Sequence, residues 1–499
     1  MGHPTIYPTG VTILDPEKAF GGYTLFQAPG LGALLIDLNG TEVQLWSGLQ
    51  GFPNKLLPGG QVFGSTAERS ARFGSQDQFD LVQVDWDGNI VWRFDRFEEL
   101  HDSNEPPRWA ARQHHDFQRE GNPVGYYSPG LEPRTDGGNT LILAHENVVE
   151  RRISDHPLLD DTIIEVDWAG NIVWHWRPHE HFEELGFDSQ ARDVLRRNPN
   201  VVPFGGQAIG GAAPARGDGY GDWLHINSAS LLGPNRFYDA GDSRFHPDNV
   251  IWDAREANII AIVEKSSGKI VWQLGPRYDG NDAERRLGWI IGQHHAHLIP
   301  RGLPGEGNLL VFDNGGWGGY GAPNPGAPSG LKTALRDYSR VLEINPLTLE
   351  IVWQYTPREA GFVIPLDASR FYSPFISSAQ RLPNGNTLIT EGSDGRIFEV
   401  TAKHEIVWEY VSPYWRKGPV SLNLVYRAYR APYSWVPQLP EPKVVPIPRL
   451  NIADLRVDGA SPRGAVREVK VAGANQTNAE GAFCVTPEGE VKPLLSAGR

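Results

Sequence analysis

Six of the 15 histidines in this chain stand in three short runs: His114 and His115 in RQHHDF, His225 in DWLHINSAS, and His294, His295 and His297 in GQHHAHLIP. Imidazole changes charge near neutral pH, so it can attack as a nucleophile, carry a proton or hold a transition metal. A lone histidine is most often a hydrogen-bonded core residue. Three runs at matching points of a repeat do not fit that explanation, because symmetry would aim them at one point from different directions. Strand alternation adds a constraint. In HHAHL, His295 and His297 share one face and His294 the other, so one of the adjacent pair is expected in the loop entering the strand. Arg255, in NVIWDAREANIIAIV, is the other singular residue. Its planar guanidinium can grip an oxyanion through two parallel bonds, or it can pair with Asp253 or Glu256 at the surface.

The elements that must position these residues are legible as a repeat. Six apolar stretches each run through a polar turn into a second stretch ending in tryptophan, at Trp46, Trp92, Trp174, Trp272, Trp353 and Trp408. LVQVDWDGNIVW, IIEVDWAGNIVW and VLEINPLTLEIVW show the pattern, a β-hairpin in outline. A hairpin cannot bury its own faces, so six copies predict a stacked array, an all-β fold that is a six-bladed β-propeller. A second element precedes several hairpins (FPNKLLPGGQVFGS, GNTLILAHE, GNLLVFDNG and RLPNGNTLITEG) and supplies the inner pair of each blade. The histidine runs come just before or within innermost strands, with Asn54 and Ser377–Ser378 at the corresponding points of two other blades. The expected site is the mouth of the central channel.

The tryptophans are unevenly spaced, so the middle blades carry long inter-strand insertions, expected over one face. They include 94–137, with Tyr126 and Tyr127, and 177–224, with a short helix at 188–197 followed by a Gly-rich run. DNGGWGGYGAPNPGAPSG at 313–330 reads as a loop too rich in glycine to be a strand, with Trp317 and Tyr320 exposed. The predicted organisation is a single propeller domain over 1–432 and a Pro-rich extended C-terminal tail over 433–499, disordered over its last thirty or so residues.

Composition narrows the classes of function. The 499 residues carry a formal charge of −14, which argues against nucleic acid or an anionic membrane as partner. One cysteine, Cys484, leaves no intrachain disulfide and no cysteine metal site. No apolar run approaches membrane-spanning length and no leader is visible at the start, so the chain as it stands reads as cytoplasmic, an exported form with a removed leader remaining open. The expected partner is a small aromatic substrate, and oligomeric state is not readable.

Several of these segments resemble the bacterial aryl-sulfate sulfotransferase family, which moves a sulfuryl group from one phenol to another without a nucleotide sulfate donor. The resemblance runs through DWLHINSAS, NVIWDAREANIIAIVEKSSGKIVWQLG, QHHAHLIP, SRVLEINPLTLEIVWQY and RLPNGNTLITEGSDGRIFEVTAKHEIVWEY, covering about 220–415 well. It implies a six-bladed propeller, ping-pong transfer and no cofactor. It also implies that the nucleophile, which becomes a covalent sulfohistidine, is His294. The histidine of the family's H-x-N motif falls on His225, followed by Asn227, and the sulfate-gripping arginine on Arg255. A further channel histidine falls on His115 or His114, and a hydroxyl on Ser377 or Ser378. On this reading His294, His225, Arg255 and His115 are catalytic, while Asn227, His114, His295, Ser378, Trp317 and Tyr320 contact substrate. This sequence departs from the family in its doubled histidines and in the insertion LLGPNRFYDAGDSRFHPDN, which adds His246 and Asp248 near the same region.

Two other classes stand beside it. In a metalloenzyme, His114, His115, His225, His294 and His295 would hold a divalent Zn, Fe, Mn or Cu ion, with Glu146, Asp116 or Asp313 orienting the ligands. In a non-catalytic ligand-binding propeller the histidines would be channel lining.

Overall fold

The computed structural model describes residues 8–69, 76–102, 104–203, 219–416 and 422–451, together with 467, 469 and 472. Cys484, most of the Gly-rich run after the 188–197 helix, and the last thirty residues apart from 472 lie outside them.

Six sheets of at least four strands form a β-propeller, their blade strands antiparallel, with one added parallel pairing of Leu158–Val166 with Gly219–Asp222 at blade 3. Blade 2 (Gln50–Leu57, Gln61–Ser65, Leu81–Val84, Ile90–Phe94) and blade 4 (Ile226–Leu231, Val250–Ala254, Ile259–Val263, Ile270–Leu274) show the plain pattern, innermost strand first. Blade 3 begins at Gln113–Arg119 and blade 5 at His294–Leu298. The ring closes twice. Gly10–Leu14 pairs outside Ile406–Val411 of blade 6, while Ala428–Ala431 pairs with Tyr23–Ala28 as the innermost strand of blade 1. Beyond it Trp435 is buried, and the chain runs on to a bridge between Ile447 and Leu14.

Each recurring tryptophan does more than fill space. Its indole N–H needs an acceptor when removed from water. In every blade it donates to a backbone carbonyl in the outer turn of the next: Trp46 to Asp85 (3.0 Å), Trp92 to Trp168 (2.9 Å), Trp174 to Lys265 (3.0 Å), Trp272 to Pro346 (2.9 Å), Trp353 to Ala402 (3.2 Å) and Trp408 to Leu38 (2.8 Å). The sixth bond returns to blade 1. Beneath this girdle the apolar side chains form six buried clusters, one for each blade interface. The hydrophobic effect thus holds neighbouring blades face to face, and the indole bonds set their spacing.

The insertions add short elements. Asp188 caps the helix Ser189–Arg197, accepting from the Ala191 N–H at 2.9 Å, so that helix stands where the sequence suggested. The Gly-rich 313–330 run does not stay irregular: Gly318–Tyr320 pairs with Leu331–Ala334 as a hairpin. Glycine is tolerated there because the hairpin lies directly on blade 4. A Cβ at Gly318 would fall 2.2 Å from Asn258 Oδ1, and the Gly319 N–H donates to Glu256 O at 2.8 Å. Among the described residues no helix is long and apolar enough to cross a membrane.

Candidate active site

The starts of the innermost strands of blades 3, 4 and 5 share a backbone device, and His294 and His295 both stand inside the strand His294–Leu298, so neither lies in the entering loop as alternation suggests. His115, His225 and His295 are left-handed, with φ of 55°, 51° and 58°, and the pairing of each strand with its neighbour slips in the same stretch, by one residue in blades 4 and 5 and by two in blade 3. Left-handed backbone costs a residue with a Cβ about 1–2 kcal/mol. The slip breaks strict alternation, so both members of HHA and HHD are buried at the centre.

The adjacent histidines nevertheless face different neighbourhoods. His295 sits 4.4 Å (ring centroids) from His297, as alternation predicts, with its Nε2 3.5 Å from Tyr429 Oη. His297 Nε2 lies 2.9 Å from Tyr126 Oη. His294 turns the other way. Asn314 donates through Nδ2 to the carbonyls of Ser373 (2.7 Å) and Ile376 (2.9 Å), which fixes its Oδ1 toward His294 Nδ1 at 2.8 Å. The His294 proton is therefore on Nδ1 and its Nε2 keeps a lone pair. Burial, followed by the charge of Arg255, holds His294 well below the ordinary histidine pKa, so the ring is neutral at pH 7.

His225 has the opposite character. Burial works against its charge, but the Asp222 carboxylate, 2.6 Å from Nδ1, outweighs it and raises the pKa. His115 meets the His225 ring edge-on at 4.7 Å and is kept neutral by burial and by the charge of His225. Arg255 is buried rather than at the surface. It pairs with Glu256, and its guanidinium lies 4.5 Å from the Trp317 ring centre, with Lys332 Nζ 4.7 Å from the same ring. Asp253, the other acid considered for that pairing, instead accepts from Ser228 Oγ (2.9 Å) and the Ala296 N–H (2.7 Å).

A second buried group centres on blade 3. His114 Nδ1 is 2.7 Å from His115 Nδ1, and its ring stacks on His145 at 3.6 Å. His145 Nδ1 is 2.6 Å from Asp77, itself held by Arg69 and Arg112. Asp161 Oδ1 is 3.5 Å from His114 Nε2 and 3.4 Å from His145 Nε2. Further in, Lys55 (2.5 Å) and Arg427 (3.1 Å) both pair with Asp116. Phe52 stacks on Tyr426 at 4.1 Å and meets His115 at 4.5 Å, giving an aromatic wall beside the histidines.

Several sequence expectations change here. Of the five histidines proposed as metal ligands, only His114 belongs to the one group of potential ligand atoms found among the described residues, with His145 and Asp161. Glu146, Asp116 and Asp313 do not hydrogen-bond the histidines. They are engaged by Arg177, by Lys55 and Arg427, and by Arg336 and Arg340. The carboxylates that do orient histidines here are Asp77 and Asp222. Tyr320 is buried, not exposed, with its hydroxyl bonded to Trp223 O at 2.7 Å, and Trp317 is half-buried. Tyr126 is likewise buried against His297. Ser378 Oγ donates to Thr390 Oγ1 (3.1 Å), and the Asn227 side chain ties two loops together through Gln293 O and the His295 N–H. His246 and Asp248 are exposed in the turn after Ile226–Leu231, at the opposite end of that strand from His225. His145, Asp161, Phe52, Tyr426 and Arg427 were not singled out from sequence. LILAHE and VYRAYRAP, where polar residues interrupt apolar alternation, were the available signals.

A six-bladed propeller with buried histidines of opposed charge preference at its centre defines the class. The Arylsulfotransferase (ASST) family pattern matches residues 133–416, more than half of the chain, and the chain belongs to that family. No similar curated protein was found. Among solved structures, the chain is similar to a Bacteroides caccae protein of unknown function (11% identity, 82% of this chain and 99% of that one, TM-score 0.39). It is also similar to apo AztD from Citrobacter koseri (12%, 83% and 98%, TM-score 0.34) and virginiamycin B lyase from Staphylococcus aureus (10%, 82% and 86%, TM-score 0.31).

Proposed function

We propose that this chain transfers a sulfuryl group from an aryl sulfate to a phenolic acceptor at the propeller centre, without a nucleotide donor, and that His294 carries the sulfuryl group between them. Family membership supports sulfotransferase-like activity. The observation that carries the finer reading is the bond from His294 Nδ1 to Asn314 Oδ1, which leaves a neutral imidazole with a free Nε2 lone pair, near the charge of Arg255.

In the first half-reaction Nε2 of His294 attacks sulfur, and the N–S bond forms as the S–O bond to the aryl group breaks. The departing phenolate takes the proton that Asp222 helps His225 to hold, leaving as phenol. Arg255 balances charge on the sulfuryl oxygens. In the second half, neutral His225 takes the proton of the acceptor phenol, whose oxygen attacks sulfur as the N–S bond breaks. Phe52 and Tyr426 offer flat faces to the aryl ring.

The test is turnover of 4-nitrophenyl sulfate with a phenol acceptor by the full chain. Nitrophenolate release that depends on acceptor and is lost in His294→Ala and Arg255→Ala supports the reading. Release that persists at the wild-type rate in His294→Ala contradicts it.

A further inference from the structure

The group on blade 3 holds buried electron pairs that no hydrogen bond satisfies, although His145 Nε2 faces Asp161 Oδ1 at 3.4 Å. Both carboxylate oxygens of Asp161 and the Nε2 of His114 lack a hydrogen-bond partner, and both residues are fully buried. An unpaired carboxylate in that position is costly unless a cation meets it. The ligand atoms of His114, His145 and Asp161 all lie within 4.8 Å of one another. The two nitrogen–oxygen distances, 3.5 and 3.4 Å, approach the roughly 3.3 Å edge of a tetrahedron built on metal–ligand bonds of about 2.0–2.1 Å.

We propose that His114, His145 and Asp161 bind one divalent first-row transition ion, zinc or ferrous iron being the classes that two imidazoles and one carboxylate suit best. The surroundings are those of a supported metal site. Asp77 bonds the far nitrogen of His145 at 2.6 Å, the carboxylate–histidine arrangement that fixes a ligand ring, and the buried Arg112 and Arg69 hold Asp77 in turn. His115 meets the far nitrogen of His114 at 2.7 Å, and donation from His114 Nδ1 leaves its Nε2 free to ligate. The two imidazoles stack at 3.6 Å with planes 15° apart, so the His114 ring must turn about its Cβ–Cγ bond for both lone pairs to reach one ion, giving up its bond to His115 while Asp77 keeps His145 in place. The ion takes the place of the proton on His145 Nε2. The three ligands leave a position open for water. This site is separate from His294 and does not depend on the sulfuryl-transfer reading.

The experiment is elemental analysis of the full chain purified without a histidine tag, followed by titration of the chelator-treated protein with Zn2+ and Co2+. The expected result is close to one bound ion per chain and Co2+ absorption bands of a nitrogen–oxygen site. Asp161→Asn should weaken Zn2+ at least tenfold, as should Asp77→Asn, while His294→Ala leaves it unchanged. If Asp161→Asn does not fold, His114→Gln is read in its place. Absence of both bound metal and cobalt bands overturns the proposal, as does equal affinity in wild type and a folded ligand variant. Loss of metal binding with an intact adduct on His294, or the reverse, separates this site from the transfer reaction.

Discussion

Asn314 presents its side-chain oxygen to Nδ1 of His294 at 2.8 Å and cannot turn away, because its amide nitrogen is bonded to the carbonyls of Ser373 and Ile376. The tautomer of the central imidazole is thereby set by a residue twenty positions along the chain, at the end of the neighbouring strand Leu309–Asp313. Replacing Asn314 by Leu removes the shorter of the two bonds that hold the proton on Nδ1 and leaves only the Gly292 carbonyl, 3.2 Å away, so the other tautomer becomes populated. The expected loss in kcat is on the order of 100-fold or more, with KM changed far less. Steady-state kinetics beside a thermal melt separate this from simple unfolding.

Asp222 raises the pKa of His225 by charge and by its 2.6 Å bond. Asp222→Asn removes both, so the His225 pKa falls. The alkaline limb of the kcat/KM profile should then move to lower pH in the variant, by about one unit or more for a buried pair. A pH–rate profile of wild type and variant checks this; coincident alkaline limbs would remove His225 from the proton-transfer role.

The girdle predicts a graded cost for losing an indole. Trp408 is fully buried and its bond to Leu38 closes the ring, whereas Trp353 bonds Ala402 from a more open position. Trp408→Phe should destabilise by about 2–3 kcal/mol through the lost bond and the space left behind, and Trp353→Phe by less than about 1 kcal/mol. Denaturant unfolding of both variants measures the difference.

Asp253 gives a pH signature of stability. Burial pushes its carboxyl from 3.8 up to about 7, against the bonds from Ala296 and Ser228 and the Arg427 charge, with the Asp116 charge adding to the rise. The folded state therefore keeps a proton that the unfolded chain releases. The stabilisation this proton supplies is full below about pH 4 and is lost as pH rises to about 7. Melting temperatures of Asp253→Asn and wild type should diverge over that window, with the variant gaining as pH rises. Parallel profiles would contradict the raised pKa.

Much of the propeller could be read from local sequence because its signals are local. A hairpin turn, a β-branched pair and a tryptophan lie within a dozen residues of each other, and the six copies give the blade number. The innermost strand of blade 1 was not legible. Ala428–Ala431 is four residues long and pairs with Tyr23–Ala28, some four hundred positions away. The same limit explains the site. His294, His225 and Arg255 were visible in motifs, but their partners come from distant segments. Asp77 reaches His145 from blade 2, and Asp161 sits mid-strand in a run whose pattern marks only burial. Tyr320 reads as exposed in a glycine-rich stretch. It is buried because the hairpin carrying it docks on blade 4, where Trp223 O accepts its hydroxyl.

Mass spectrometry of the chain, quenched within its first turnover on 4-nitrophenyl sulfate without acceptor, tests the central claim most directly. The account predicts a mass increment of one SO3 group on the peptide carrying Gln293–His297, assigned to His294 and discharged when a phenol is added. Phenolate release with no such adduct, or an adduct that persists in His294→Ala, would contradict it.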